Sequence, residues 1–460
     1  MLLCGRYDIG KVQDMAAVNM TEGAIPRRLI GYAVPLVLSN LFQLTYNAVD
    51  SMVVGRFVGK EALAAVGTSA PVTNLLVLGI SGLCIGAGVI MSEFYGAGDE
   101  KQLRKELATA MVGGSVLALI LTLLGMLCAV PLLRLMAVPA DVLDLAAGYL
   151  RIVFLGVPFT FLYNATAYAL KSVGDSRTPL AFLIFSSVLN VILDILFVGV
   201  MHGGALASAW ATVISQCLSA VLCIGYVRLR IPLLCIRKDE WKPDRALLLR
   251  TLHDGGITAL QQSCQPIGKI LIQGAVNSLG VDAMACFNVV GRMDDYACMP
   301  EQTISSAITT FMAQNRGAGK LKRMWEGFRD GMRIEVVYGL LIGLVTLMAR
   351  NGIMHLFVDA SQTEVIAQGV TYLGWMSLFY LFPAMTNGVQ GGFRGLRRMR
   401  MTLIGTLIQI SFRVLFVFIL TPSMGIPGVA FASAIGWAFM LAVEVPILLK
   451  ACRDQKTVTA

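Results

Sequence analysis

An amide and a carboxylate stand in the middle of a hydrocarbon run. Ser186–Gly199 reads SSVLNVILDILFVG, with Asn190 and Asp194 four residues apart. On a helix that spacing puts both side chains on one face, one turn from each other. An earlier apolar stretch, LSNLFQLTYNAVDSMVVG, carries Asn40, Gln43, Asn47 and Asp50. Gln43, Asn47 and Asp50 follow a four-then-three spacing and line one polar stripe, which must face protein or water because lipid satisfies none of its groups. An ionisable side chain at membrane depth costs at least about 2.5–3.5 kcal/mol on insertion scales, so it marks a functional site by default.

The chemistry open to these groups is capture of a small cation. Asp50, Asn190 and Asp194 offer oxygen ligands only, once the amide presents its carbonyl, and a hard cation such as Na⁺ takes that kind of shell. Two carboxylates sharing a low-dielectric site also repel, so a proton competes for the same place. Sequence leaves the choice of H⁺ or Na⁺ open. The plainer alternative is a hydrogen-bond network that holds helices together, worth about 0.6 kcal/mol per pair.

These groups need helices that cross a bilayer to hold them. Of the 460 residues, 56% are apolar and 14% charged, with a mean hydropathy of +0.72; soluble domains carry about 25% charged residues. Twelve apolar runs long enough to span can be marked off, near 29–54, 63–90, 107–130, 146–170, 180–200, 204–227, 252–279, 283–312, 334–350, 364–389, 401–421 and 427–449. The expected fold class is all-α integral membrane. The net charge of +9 reflects topology: 29 of the 37 Lys and Arg fall in alternate gaps and the two tails. By the positive-inside rule both termini are cytoplasmic in the cell membrane, so no nucleic-acid partner is implied. Ten scattered cysteines without C-x-x-C spacing, and only three histidines, suggest no metal cluster and no soft metal. No nucleophile–base arrangement points to an enzyme, and no protein cofactor is expected. Residues 1–19 lack the apolar core of a signal peptide; MTEGAIPRRL from Met20 is a more conventional start, so the first 19 need not belong to the working protein.

The chain repeats itself. FYGAGDEKQLRKEL (94–107) and NRGAGKLKRMWEGF (315–328) share Gly-Ala-Gly at 96–98 and 317–319, an offset of 221. VGKEALAA (58–65) lines up with LGVDAMAC (279–286) at the same offset. ALKSVGDSRTPL (169–180) pairs with GFRGLRRMRMTL (392–403), shifted by about two more. The expected organisation is a cytosolic tail (1–28), a six-helix lobe (29–227), a basic connector (228–250), a second six-helix lobe (251–450) and a C-terminal tail (451–460). Parallel repeats of this kind are a transporter signature, with substrate taken up in a central cavity at the repeat interface. The counterparts of Asp50, Asn190 and Asp194 are Leu271, about Arg413 and Val417, so this acidic constellation belongs to the first half. The second half has Lys269 midway along its first span and Arg292, Asp294 and Asp295 midway along its second. Lys269 and Asp294 come within roughly 5 Å of the same depth at about 1.5 Å per residue. An ion pair between them is one expectation; the other is that Asp294 attracts cationic substrates. Asp294, Gln265, Lys269, Met284 and Met293 are the candidate lining of the substrate cavity, the methionines as an adaptable wall.

The arrangement resembles the multidrug and toxic compound extrusion (MATE) family of secondary transporters over about 20–450. The resemblance rests on YNAVDSMVVGRFVG (46–59), LNVILDILF (189–197), both Gly-Ala-Gly loops and PGVAFASAIG (427–436). It is closest to the prokaryotic damage-inducible (DinF-like) branch, which implies a cation site of Asp50, Asn190, Asp194 and Thr212 in the first lobe. Gln43, Tyr149 and Asn164 would be neighbours in its polar network, and Pro35 the point at which the first helix bends. Gln265 stands where the NorM-type branch has a glutamate, which speaks against second-lobe sodium binding of that kind. The function implied is a monomeric antiporter that exports small organic, often cationic, compounds in exchange for H⁺ or Na⁺ by alternating access. A flippase for lipid-linked oligosaccharides is the alternative within related folds; it expects a strongly cationic cavity, whereas Lys269, Arg292 and Arg413 alone lie within spans.

Overall fold

The computed structural model describes the chain from residue 19 onward, apart from 58–59, 137 and 459–460; the side chains of 46–64, 238 and 455–458 also lie outside the described residues. Among the described residues there is no strand. The helices are α1 (Ile25–Phe57), α2 (Lys60–Gly96), α3 (Glu100–Leu135), α4 (Ala140–Ser172), α5 (Arg177–Asp194), α6 (Gly204–Arg230), α7 (Arg245–Asn277), α8 (Val281–Gly317), α9 (Leu321–Phe357), α10 (Thr363–Phe379), α11 (Leu381–Gly395), α12 (Met399–Met424) and α13 (Pro427–Val458). Among the described residues eight are long and apolar enough to cross a bilayer, or nine counting α10 and α11 as one broken span bent by 43°. The expected tenth span is therefore a kinked pair, with Tyr380 at the break. Although α7 and α8 run for 33 and 37 residues, they fall outside the apolar set because polar residues recur along them.

The repeat is visible in backbone hydrogen bonds. Gly98 and Gly319 both adopt left-handed φ, 71° and 69°. The amides of Asp99 and Lys320 each return to a carbonyl five residues back, Phe94 at 3.0 Å and Asn315 at 2.9 Å. This closes α2 and α8 with the same cap. Further on, Asp175 bonds Leu170 at 3.0 Å and Arg398 bonds Phe393 at 2.8 Å, two residues beyond the first offset. Gly174 holds the left-handed position in the first half (φ 89°), and Arg397 holds it in the second (φ 57°).

The helices form two compact units, Val34–Gly256 and Met20–Ala33 with Ile257–Ala460. The start of α1 thus belongs with the second unit, and the boundary falls just before Pro35. There Met20 N–H donates to Gln314 Oε1 at 3.0 Å, Arg323 donates to the Gly23 carbonyl at 2.8 Å, and Tyr32 meets Thr310 at 3.2 Å. The start of α7 belongs with the first unit. Lys105 donates to Asp244 at 2.6 Å, a bond that holds the Asp244 carboxyl below the usual carboxylate range. Arg104 donates to Glu240 at 3.1 Å, and Thr251 donates to Glu106 at 2.5 Å. A glycine is needed at 86: a Cβ there would lie 2.5 Å from the Gly255 backbone, so α2 and α7 touch main chain to main chain. The first unit's core is built around Leu133, Leu150, Phe154 and Phe161; the second's is built around Val276, Val290, Tyr372, Leu373 and Tyr380.

Candidate functional site

Within the first unit, α5 and α6 bring three of the sequence-predicted residues together. Asp194 and Asn190 are 0% and 1% exposed, and Thr212 on α6 is half-buried. The amide orientation that satisfies the network has Asn190 Nδ2 donating to Asp194 Oδ2 at 2.8 Å. Asn190 Oδ1 then faces the Thr212 N–H and hydroxyl, both at 3.2 Å; orientation is assigned from partners, as is usual for amides. The Thr212 hydroxyl also lies 3.2 Å from the Ser208 carbonyl one turn back. The amide thus bridges the carboxylate and Thr212, with its nitrogen toward the acid. For Asn190 itself to ligate a metal ion beside Asp194, its amide must turn so that its oxygen faces the ion.

Immediately after Asp194 the helix changes type. Ile195–Val200 is a π-helical turn, so one extra residue enters the turn and re-aims what precedes it. Single π turns are frequent at functional sites. Nothing in the run ILFVGV signals it beforehand.

The remaining first-half candidates divide. Asp50 is on α1, but its side chain, like that of Asn47, lies outside the described residues. Gln43 is exposed on the same helix, and Pro35 is buried inside it. Tyr149 is half-buried. Asn164 donates to the Thr160 carbonyl of its own helix at 2.8 Å, and its amide is not part of the Asn190–Asp194–Thr212 network.

In the second unit the expected Lys269–Asp294 pair is not formed. Lys269 Nζ donates instead to Asp295 Oδ1 at 2.6 Å, with the two side chains 55% and 54% exposed. Asp294 accepts from Tyr380 Oη, also at 2.6 Å, and Tyr380 is fully buried. Depth alone cannot separate two neighbours 1.5 Å apart along the axis; helical phase, about 100° per residue, does. Gln265 is exposed, while Met284 and Met293 pack partly buried against the core.

The second unit also buries acids that the sequence comparison passed over. Glu301 on α8 and Glu335 on α9 are both 0% exposed, and Glu444 on α13 is 2% exposed. The absence of acids at the counterparts of Asp50, Asn190 and Asp194 holds position by position, but the second half is not acid-poor. The cost argument that flagged Asp194 applies equally to three glutamates inside predicted spans and was the available signal. No group of three or more His, Cys, Asp or Glu placed to hold a metal occurs among the described residues.

A family model described as MatE matches residues 35–196 and again 258–419. The chain belongs to the MATE family. The double match repeats at an interval of 223 residues, in keeping with the internal duplication. A probable multidrug resistance protein of Bacillus subtilis, YoeA, is 32% identical over 77% of this chain and 78% of its own length. A second from the same organism, YpnP, is 29% identical over 86% and 88%. A MATE crystal structure in complex with MaD3S superposes with a TM-score of 0.90, at 20% identity, covering 96% of this chain and 99% of that one. The chain is thus a multi-pass membrane protein of a transporter family, and these relatives are named for drug resistance and not for an enzyme activity.

Proposed function

We propose that the protein is a secondary multidrug antiporter that exports small organic compounds in exchange for H⁺ or Na⁺ by alternating access. The observation that carries this reading is Asp194: a carboxylate sealed inside a membrane helix, bonded to Asn190 and linked through it to Thr212. Such a group has little reason to be there unless it binds and releases a small cation. Asp50 would complete the site. Asn190 would join a Na⁺ shell only after rotation of its amide, so that its oxygen faces the ion.

The rest of the reading follows the family. Twelve spans in two six-helix lobes, both termini in the cytoplasm and a monomeric unit form the working arrangement. Loading of the first-lobe site would bias the states through α1, where Pro35 lacks the N–H that would tie its turn to the carbonyl four residues earlier. The first-lobe location is the one implied for the DinF-like branch.

The test is dye efflux from proteoliposomes under separately imposed Na⁺ and pH gradients, for the wild type, Asp194→Asn and Asp50→Asn. One gradient should drive efflux in the wild type, and both variants should lose that dependence while keeping wild-type elution on size exclusion. Undiminished gradient-driven efflux in Asp194→Asn would remove the reading.

A further inference from the structure

The exposed face of α8 differs in kind from those of its neighbours. On α9 the exposed residues include Val337, Leu340, Leu341, Leu344, Val345 and Met348, each at least half exposed, which is the surface a lipid-facing helix presents. On α8 the exposed positions from 288 to 302 are Asn288, Arg292, Asp295, Tyr296 and Gln302. Their spacings of four, three, one and six residues keep them on one stripe. A polar stripe of this length within a span faces water, because hydrocarbon satisfies none of its groups.

Arg292 lies near the middle of that stripe. It stands 11 residues from the α8 start at Val281, roughly 17 Å along the axis. Its neighbours at the preceding and following turns, Asn288, Asp295 and Tyr296, make this a water-facing position and not a lipid face from which the side chain snorkels. The nearest acid on the stripe, Asp295, is taken by Lys269 at 2.6 Å, and Asp294 takes its hydrogen bond from Tyr380. The Asn288 amide donates to the Met284 carbonyl of its own helix at 2.8 Å. Arg292 is thereby left as an exposed guanidinium with five donors and a permanent charge.

We infer that Arg292 is a recognition residue for a single oxyanion group, specifically a carboxylate, on the substrate. This inference rests on the efflux reading above and names a substrate class for it. Lys269 and Asp295 hold each other and Asp294 is held by Tyr380, so among the described residues Arg292 is the cation of this stripe that no acid holds. A dianionic phosphate would meet that one charge beside two carboxylates at 294 and 295, whereas a carboxylate matches it and fits the planar guanidinium fork two-point to two-point.

The experiment compares two dyes that differ only at this group, rhodamine B with its free carboxylate and rhodamine B ethyl ester, in proteoliposomes of the full chain. The wild type is expected to carry the acid, and Arg292→Gln to lower its kcat/KM about tenfold or more while changing the ester less than about twofold. Arg292→Lys should recover part of the loss, because charge returns without the fork. If Arg292→Gln fails to fold, competition on the wild type serves instead: the free acid should inhibit ester efflux more strongly than the corresponding diethylamide, a tertiary amide that stays in the open, cationic form. Equal loss for both dyes, or equal inhibition by acid and amide, overturns the inference. Transport of ethidium and the ester but not the acid overturns it while leaving the efflux reading intact; no gradient-driven transport of any dye removes both.

Discussion

Asp194 and Asp295 are both acids within predicted spans, yet they sit in opposite surroundings. Asp194 is fully buried and bonded to an amide. Asp295 is half in solvent and paired with a lysine that is equally exposed. A carboxylate in a dry site gains much of its stabilisation from whatever cation it holds, since water does not compete and the effective dielectric is low. A solvated ion pair changes little in energy when an ion passes. The first setting therefore suits coupling to an ion gradient. The second suits contact with a varied cargo, where polar groups must exchange partners cheaply.

The largest effect that separates the two settings is on gradient dependence. Asp194→Asn should bring gradient-driven efflux to background, a loss of at least about tenfold, as expected when more than about 1.4 kcal/mol of coupling disappears. Stability of that variant should hold or rise, because a buried charge is replaced by a neutral group of the same shape. Asp295→Asn should keep the gradient dependence and alter which dyes are carried. If the two variants exchange these outcomes, the assignment of roles is reversed.

A second prediction concerns the bond that ties the α10–α11 break to α8. Tyr380→Phe removes the only hydroxyl within hydrogen-bond distance of Asp294 among the described residues. It should cost about 1.5–3 kcal/mol, the range for a hydrogen bond to a charged group. Thermal unfolding followed in detergent micelles reads this directly. A variant as stable as the wild type would mean that the break at Tyr380 is held by apolar packing alone.

Much of this arrangement was legible in the sequence for specific reasons. Gly-Ala-Gly recurs because a left-handed cap after α2 and α8 favours glycine, so backbone need was written as a residue type. Asp194 stood out because charge inside a hydrocarbon run has no bland explanation at low cost. Tyr380 did not, since an aromatic residue inside an apolar run reads as core until its hydroxyl partner, 86 positions away, is known. The π turn was hidden because any apolar residue accepts it. The partner of Lys269 was missed by one residue, because depth was counted and phase was not. Glu301, Glu335 and Glu444 were within reach of the argument applied to Asp194.

The same repeat supplies a smaller prediction. Arg397 occupies the left-handed cap position that Gly174 fills in the first half. A side chain with a Cβ pays roughly 1–2 kcal/mol there, and glycine gives part of that back through a more flexible unfolded chain. Gly174→Arg should lower stability by about 1 kcal/mol, measured by thermal shift. Arg397→Gly, which relieves the backbone but gives up the contacts of the Arg397 side chain, should change it less. An unchanged Gly174→Arg would show that the first-half cap tolerates a Cβ.

The smallest effect is the most informative about the wet half. Lys269 and Asp295 form a short bond at 2.6 Å, but each side chain is about half exposed. Solvent-exposed pairs contribute only about 0–1 kcal/mol, because water competes and two long side chains must be held in place. A double-mutant cycle with Lys269→Met and Asp295→Asn should therefore give a coupling energy below about 1 kcal/mol, reduced further in high salt. Coupling of several kcal/mol would mean that the pair is shielded in the native membrane. Lys269 and Asp295 would then resemble Asp194 in setting, and the contrast between a dry coupling half and a wet recognition half would fail at its most exposed point.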